Sequence, residues 1–352
     1  MSFFNSLSEL LPPWLHNPND EKHIIICSRI RLARNLAKEP FPGWATRQQR
    51  VEILNRMVSA VSELPGFKQG HYSELSQLSQ LDKQLLVESH LMSRDLAARS
   101  EGCGIYINKA LNMSILFNEE DHMRFQMFQA GLSLKQMWNS LSKLDSKLED
   151  KLPYAYSSRF GYLTACPSNL GTGMRASIMM HLPGLMLSEQ MQQVSQAAFQ
   201  LNIAVRGLYG EGTDATGNLF QISNQSTLGD SEVDIIGRVT RFANDLAVQE
   251  WNARLLLLKN NPRLLKDKVC RAYGILMHAQ LISTQEALAL LSILRLGESL
   301  QIFKHQSLQD ITKTILNIQP AHIRSISPQL EENSEDRDEV RASLLRALFI
   351  NS

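Results

Sequence analysis

Lys22 to Leu36 reads KHIIICSRIRLARNL. It opens as a β-branched run and becomes alternating, so that Arg29 and Arg31 fall on one face. This is the pattern of a strand that buries one side and presents two guanidinium groups on the other. Working outward, Thr46 to Leu64 is amphipathic and reads as a helix, and Gln80 to Ala98 is a second helix-like stretch carrying His90. CGIYINKALNMSILFN, Cys103 to Asn118, holds two short strand-like pieces around a polar turn and leads into EEDHMRFQMF. Ser133 is the expected N-cap of a helix through Lys151, and Ser188 of a later one. IAVRGLYGEG (203–212) and NLFQISNQ (218–225) read as a strand, a glycine-rich loop and another strand. Short strands interleaved with helices, without a regular βαβ beat, predict an α+β domain built on an antiparallel sheet flanked by helices.

After Gly229 the texture changes. Ser231 to Ile350 is almost wholly helix-patterned, and capping-box spacings mark two starts, Ser231 with Asp234 and Ser283 with Glu286. The expected organisation is an N-terminal extension (1–20), a catalytic domain (21–254) and an all-α C-terminal domain (255–352), the boundary falling inside a long helix near residue 254.

The bulk numbers narrow the function. The 352 residues carry 36 Lys+Arg against 35 Asp+Glu, a net charge of +1. No global basic field invites nucleic acid or an anionic membrane, so any anion site has to be local. Cys27, Cys103, Cys166 and Cys270 lie far apart with no metal-ligand spacing, which fits reduced thiols. The N-terminal stretch does not read as a signal peptide, and no apolar run is long enough to span a bilayer. A soluble, cytoplasmic protein is expected.

Five arginines, Arg29, Arg31, Arg124, Arg175 and Arg206, sit at strand or loop positions of the first domain. A guanidinium grips phosphate through paired hydrogen bonds and stays charged at any working pH. Carboxylates lie close by in sequence: NEEDHMR places Glu119, Glu120 and Asp121 before Arg124, and RGLYGEG places Glu211 after Arg206. If the two sets converge in one cleft, the arginines bind a polyphosphate while the carboxylates hold a cation or accept a proton; if not, they are surface salt bridges and solvated loop ends. CPSNLGTGMRAS, Cys166 to Ser177, offers a nucleophile, a phosphate cradle or only a tight turn. Its GTGMR is not a Walker A loop, and neither a GxSxG elbow nor a GxGxxG fingerprint occurs.

Together, SRIRLARNL, NEEDH, CPSNLGTGMRAS and RGLYGE with GNLFQISNQ resemble the ATP:guanidino phosphotransferase (phosphagen kinase) family, and within it the bacterial protein-arginine kinase (McsB-type) branch. The resemblance runs from about residue 20 to the C-terminus. It implies the glutamine synthetase-like catalytic fold of that family and transfer of the ATP γ-phosphate to a guanidino nitrogen. Only about twenty residues precede the first strand, so the small helical domain that closes over a free guanidino substrate is expected to be missing. An open site suits an arginine held in a polypeptide.

Residue by residue, the resemblance implies Glu120 as catalytic base, Glu211 as a second substrate-binding carboxylate, and Cys166 as a thiolate beside the guanidinium that forms no covalent intermediate. Asp121 and His122 are expected to orient Glu120. ATP contacts are implied at Cys27, Ser28, Arg29, Ile30 and Arg31, at His90 and Arg124, at Arg175, Ala176, Ser177, Ile178 and Met179, and at Arg206, Gly207, Leu208, Tyr209, Gly210 and Glu211. Cys27 occupies a spot where the family more often has a small hydroxyl residue. Magnesium is implied to ride on the ATP phosphates, with no direct protein ligand. RDEVRA, Arg337, Asp338, Glu339, Val340, Arg341 and Ala342, sets two arginines four apart, a fork for one phosphate if helical; in the resembled branch this motif binds phosphoarginine and couples it to activity. Implied partners are proteins with exposed arginines, an activator, a Clp-type unfoldase or protease, and a second copy of the chain. The readings that compete with a protein-arginine kinase are a free-arginine phosphagen kinase and a catalytically silent phosphoarginine-binding adaptor.

Overall fold

The computed structural model describes residues 24–207, 215–302, 308–327 and 333–350. In chain order the elements are β1 (Ile25–Arg34), α1 (Arg47–Ser62), β2 (His71–Glu74), α2 (Gln80–Glu88), α3 (Arg94–Ala97), β3 (Gly104–Ile107), β4 (Met113–Phe117), β5 (Met123–Ala130), α4 (Leu134–Glu149), the two-residue β6 (Tyr156–Ser157) and β7 (Gly161–Tyr162), β8 (Met174–His181), α5 (Pro183–Leu187), α6 (Met191–Gln200), β9 (Ile203–Gly207) and β10 (Leu219–Asn224). The helices α7 (Glu232–Asn260), α8 (Pro262–His278), α9 (Thr284–Ser299), α10 (Leu308–Asn317), α11 (Pro320–Ile326) and α12 (Ser334–Ile350) follow.

Eight strands form one sheet in the order β2-β3-β4-β5-β1-β8-β10-β9, every pair antiparallel. The alternating strand β1 therefore lies inside the sheet, between β5 and β8. Its even-numbered residues Ile30 and Leu32 join Phe125, Ala176, Ile178, Phe220 and Ile222 in a core completed by α1, α4, α6 and α7. The odd-numbered residues face the other way. At one end of that second face the polar pattern gives out, and Cys27, Phe128 and Leu219 join the apolar faces of α8, α9 and α12 in a second cluster. The helical C-terminal region is thus seated on the same side of the sheet as the arginines.

α7 begins at the Ser231/Asp234 capping box and runs unbroken past residue 254. On it, Glu250 and Arg254 are fully buried and paired at 2.6 Å. Glu250 accepts the N–H groups of Gly184 and Leu185 at 2.8 and 2.9 Å. Arg254 donates to His181 O and Ser299 Oγ, both at 2.9 Å. Every charge in this knot has a partner, which is what permits its burial; removing one member would strand the other at a cost of about 3–5 kcal/mol.

Three local readings are corrected. The helix-like stretch 80–98 is two helices, because α2 ends at Glu88 and Ser93 starts α3 by accepting the Leu96 N–H at 3.0 Å. His90 lies between them with a left-handed φ of 60°. Ser133 stands at the N-cap position of α4 as expected, but its hydroxyl donates to Ala130 O and makes no capping bond. Ser188 closes α5, and the next helix starts from Gln190. Among the described residues no helix is long and apolar enough to cross a membrane.

Candidate active site: an arginine face beside a carboxylate and a thiol

Strand register brings distant arginines together. Arg31 pairs with Gln126 of β5 on one side and with Arg175 of β8 on the other, while Arg124 stands opposite Ala33. Arg29 pairs with Ser177, which pairs in turn with Ser223 of β10, and Arg206 of edge strand β9 stands opposite Gln221. Since side chains alternate, all five guanidinium groups emerge from one face. Arg29 is held by Gln221 Oε1 at 2.6 Å and lies 5.6 Å from the centre of the Phe128 ring. Arg175 donates to Ser223 Oγ at 3.0 Å.

Arg31 differs from these. Its Nε is buried with no hydrogen-bond acceptor among the described residues. Burial, then the fields of Arg29, Arg175 and Arg124, hold its pKa well below the usual arginine range. Burial likewise lowers Arg29 to about 10 and lowers Arg175. A cluster of partly desolvated cations with an unmet donor fits a bound polyanion such as a triphosphate.

The acidic loop joins β4 to β5. Asn118, with a φ of 55°, turns the chain, and its N–H bonds His122 O at 2.9 Å. Glu119 is buried, ion-paired to Arg124 at 2.5 Å, and receives the Ser93 hydroxyl. Glu120 stays partly exposed, with Arg124 Nη2 at 3.0 Å. Asp121 points inward, its Oδ1 accepting from Asn35 Nδ2 at 2.6 Å and from the Ala165 N–H at 2.7 Å. His122 Nδ1 accepts the Leu36 N–H at 3.0 Å, and its Nε2 lies 3.0 Å from Pro40 O, a pair of bonds that fits the neutral Nε2–H form. Asp121 and His122 thus carry the loop that displays Glu120. Asp121 also ties that loop to the residue preceding Cys166.

Cys166 opens a short turn, Pro167–Asn169, and its Sγ lies 3.0 Å from Ser168 Oγ. The chain then doubles back through Gly171 and Gly173, at φ of 107° and 65°. A Cβ at Gly173 would sit 2.6 Å from Ala33 O, so glycine is required both by conformation and by the close approach to β1. Of the three readings of CPSNLGTGMRAS, the turn is realised, and it sets Cys166 and Arg175 in one cleft.

That cleft is lined by Arg31, Arg124, Arg175, Glu120, Cys166 and Asp95, with Ser168 and Asn169 at the turn. The cleft thus offers a guanidinium a carboxylate and a thiol, and a phosphate three cationic donors. Two comparisons decide the family. Residues 52–253 match the model described as ATP:guanido phosphotransferase, C-terminal catalytic domain. Residues 262–352 match that of the protein-arginine kinase McsB C-terminal domain.

The chain belongs to the ATP:guanido phosphotransferase family. It is 39% identical over 98% of its length to a protein-arginine kinase of Halothermothrix orenii, covering 99% of that protein. It is 41% identical over 96% of its length to one of Pelotomaculum thermopropionicum, covering 96% of that protein. The crystal structure of a lombricine kinase matches 69% of this chain and 70% of its own with a TM-score of 0.59 and 26% identity. The chain is accordingly an ATP-dependent phosphotransferase.

The family site expected from sequence is spread along this face. Arg29, Arg206, Ser177 and Met179 share the arginine side. Ser28, Ile30, Ala176 and Ile178 are turned away: Ile30, Ala176 and Ile178 are core residues, and Ser28 bonds Gly131 O at 2.7 Å. Their side chains are removed from the expected ATP contacts, because a contiguous run on a strand sends alternate residues to opposite faces. Cys27 is buried at the seam with the helical region, where burial pushes its thiol up to about 12. Gly207 ends β9, whereas Leu208, Tyr209, Gly210 and Glu211 lie outside the described residues. Asp95, Ser168 and Asn169 were invisible to sequence reasoning, since an Asp in a helical stretch and two polar turn residues carry no signal of their own.

In RDEVRA the two arginines are unlike. Arg341 is buried, donating from Nε to Ile318 O at 2.9 Å and from Nη1 to Ile282 O at 2.8 Å, and it is ion-paired to Asp338. Arg337 stands one turn earlier and is half-buried, Val340 is half-buried, Glu339 exposed and Ala342 buried. The motif is helical as expected, but Arg341 is a tie between helices as well as a cation.

Proposed function

We propose that the chain is a protein-arginine kinase that transfers the γ-phosphate of ATP to arginine side chains of proteins. The observation that carries this reading is the convergence of Glu120 and Cys166 with Arg31, Arg124 and Arg175 in one cleft. A protonated guanidinium has no free lone pair, so a proton must leave before a nitrogen attacks phosphorus. Glu120, held by Arg124, accepts that proton. The freed nitrogen attacks the γ-phosphorus, the bond to the bridging oxygen breaks, and ADP leaves with that electron pair. Charge spread over the transferring group is met by arginines already in place. Cys166 positions the guanidinium beside Glu120, and Glu211 supplies the second carboxylate by resemblance.

The arginine face suits phosphate oxygens, so we assign magnesium to the nucleotide, where it neutralises phosphate charge. The acceptor is a polypeptide arginine, a reading favoured by the C-terminal region matching the protein-arginine kinase domain. In the cell we place the protein in the cytoplasm as a homodimer with an activator, marking proteins for a Clp-type protease or inactivating a repressor, with RDEVRA as its phosphoarginine sensor. Incubation with ATP, magnesium and an unfolded arginine-rich protein, followed by mass spectrometry, should reveal acid-labile arginine phosphorylation. Modification of free arginine alone would sink this reading.

A further inference from the structure

The end of α2 is fastened to the start of α11, far away in sequence. The Glu88 carboxylate accepts the Ala321 N–H at 2.9 and 3.0 Å, the His322 N–H at 3.2 Å and His322 Nδ1 at 2.9 Å. His322 is buried, and the Glu88 side chain is only 18% exposed. Four contacts to one largely desolvated carboxylate are more than a surface ion pair supplies.

The segment that follows Glu88 runs along the rim of the arginine face. His90 makes the left-handed turn, within the field of Arg29. Leu91 O then accepts from Ser114 Oγ at 2.8 Å and from Gln126 Nε2 at 3.1 Å, and Gln126 is the register partner of Arg31. Ser93 bonds Glu119, which is paired to Arg124 beside Glu120. On the far side, Arg341 holds Ile318 O, in the turn that enters α11. The strap 88–93 therefore touches the helical C-terminal region at one end and the arginine face and acidic loop along its length.

We propose that Glu88 is a positioning residue for the nucleotide: by clamping Ala321 and His322 it holds the strap 88–93 against the arginine face, so that the helical C-terminal region sets ATP affinity. The proposal rests on the reading of that face as the ATP site. Removing the clamp loosens His90 and the Leu91–Gln126 contact, whereas Ser93 stays fixed as the cap of α3 and keeps its bond to Glu119, so that Glu120 and Cys166 hold their places. Loss should fall on ATP binding rather than on the chemical step.

Glu88→Gln is nearly isosteric but loses the charge and one of the two acceptor oxygens that meet the Ala321 and His322 donors. In the full-length protein it should raise the KM for ATP about 10-fold, with kcat and the KM for the protein substrate within about 2-fold of wild type. His322→Leu should match it. His322→Asn, whose amide can restore the Nδ1 donor, should recover most of the affinity, and the Glu88→Gln/His322→Leu double variant should be no worse than either single. Direct ATP titration reads the same affinity without turnover. Equal ATP affinity in wild type and folded Glu88→Gln overturns the clamp, as does an equal rise in both KM values. A wild type that binds ATP without phosphorylating arginine overturns the proposed activity instead and leaves the affinity comparison valid.

Discussion

Arg31 stands directly opposite Arg175 across β1 and β8, two cations neighbouring on one face of the sheet. Like charges so placed destabilise a strand pair. Burial and three neighbouring guanidinium groups depress the pKa of Arg31, and its Nε has no acceptor among the described residues. The fold tolerates this repulsion at the position where a polyphosphate would relieve it.

Arg31→Met should therefore raise the stability of the ligand-free protein by about 0.5–1 kcal/mol while weakening ATP binding roughly 100-fold. Thermal unfolding with and without ATP checks both signs. Wild type should gain about 2.7 kcal/mol at a hundred times its Kd, and the variant far less. A variant that is less stable without ligand would show that Arg31 is a structural residue.

Glu120→Gln should lower phosphoryl transfer by about 10²–10⁴, the usual range for loss of a general base, with ATP affinity within a few-fold. Radiolabel transfer and nucleotide titration measure the two separately. The amide still accepts a bond from Arg124, so the loop remains ordered. Retained activity would move the proton acceptor elsewhere, with Asp95 next in the cleft.

Acid should destabilise the fold through His90. Burial, then Arg29, His322 and Arg94, lower its pKa to about 4, against an ordinary value of 6.5. Between those values the unfolded chain binds the proton and the folded one does not, so stability is full above about pH 6.5 and falls as pH drops toward 4. The loss is at most about 3 kcal/mol, and buried His181 is shifted in the same direction. Denaturant unfolding at pH 7 and pH 5 should show the drop, and His90→Gln should flatten it. Parallel profiles for the two proteins would refute the assignment.

The two motif arginines should separate. Arg341→Ala removes a buried donor from Ile318 O, Ile282 O and Asp338 and should cost about 3 kcal/mol. Arg337→Ala should cost less stability than Arg341→Ala while abolishing phosphoarginine binding, read by calorimetry. If Arg337→Ala unfolds the C-terminal region, or still binds phosphoarginine, the sensor is misplaced.

Much of this was legible in local pattern. The alternation in Lys22 to Leu36 announced a half-buried strand whose odd positions carry arginine, and β1 is that strand. Capping spacings located the start of α7, and the change of texture after Gly229 marked the helical region. The acidic loop and the Cys166 turn stood out because charge, proline and glycine at close spacing have few other uses. These are short-range properties, set by side-chain period and by which residues tolerate a left-handed backbone.

Other features depend on chain segments that meet only after folding. Register decided that five arginines share a face, and that Ser28, Ile30, Ala176 and Ile178 do not belong with them. His90 left its expected helix because the turn between Glu88 and Ser93 is held by Ser114, Gln126 and Glu119 from other strands and loops. Arg341, an apparent surface fork in RDEVRA, is drawn inward by carbonyls of residues 318 and 282. Asp95 entered the cleft, and Glu88 clamped α11, with no mark in their neighbouring residues. Periodicity tells a side chain which way to face; what it then meets is supplied by residues from about twenty to more than two hundred positions away, and only the packed sheet and helices bring those together.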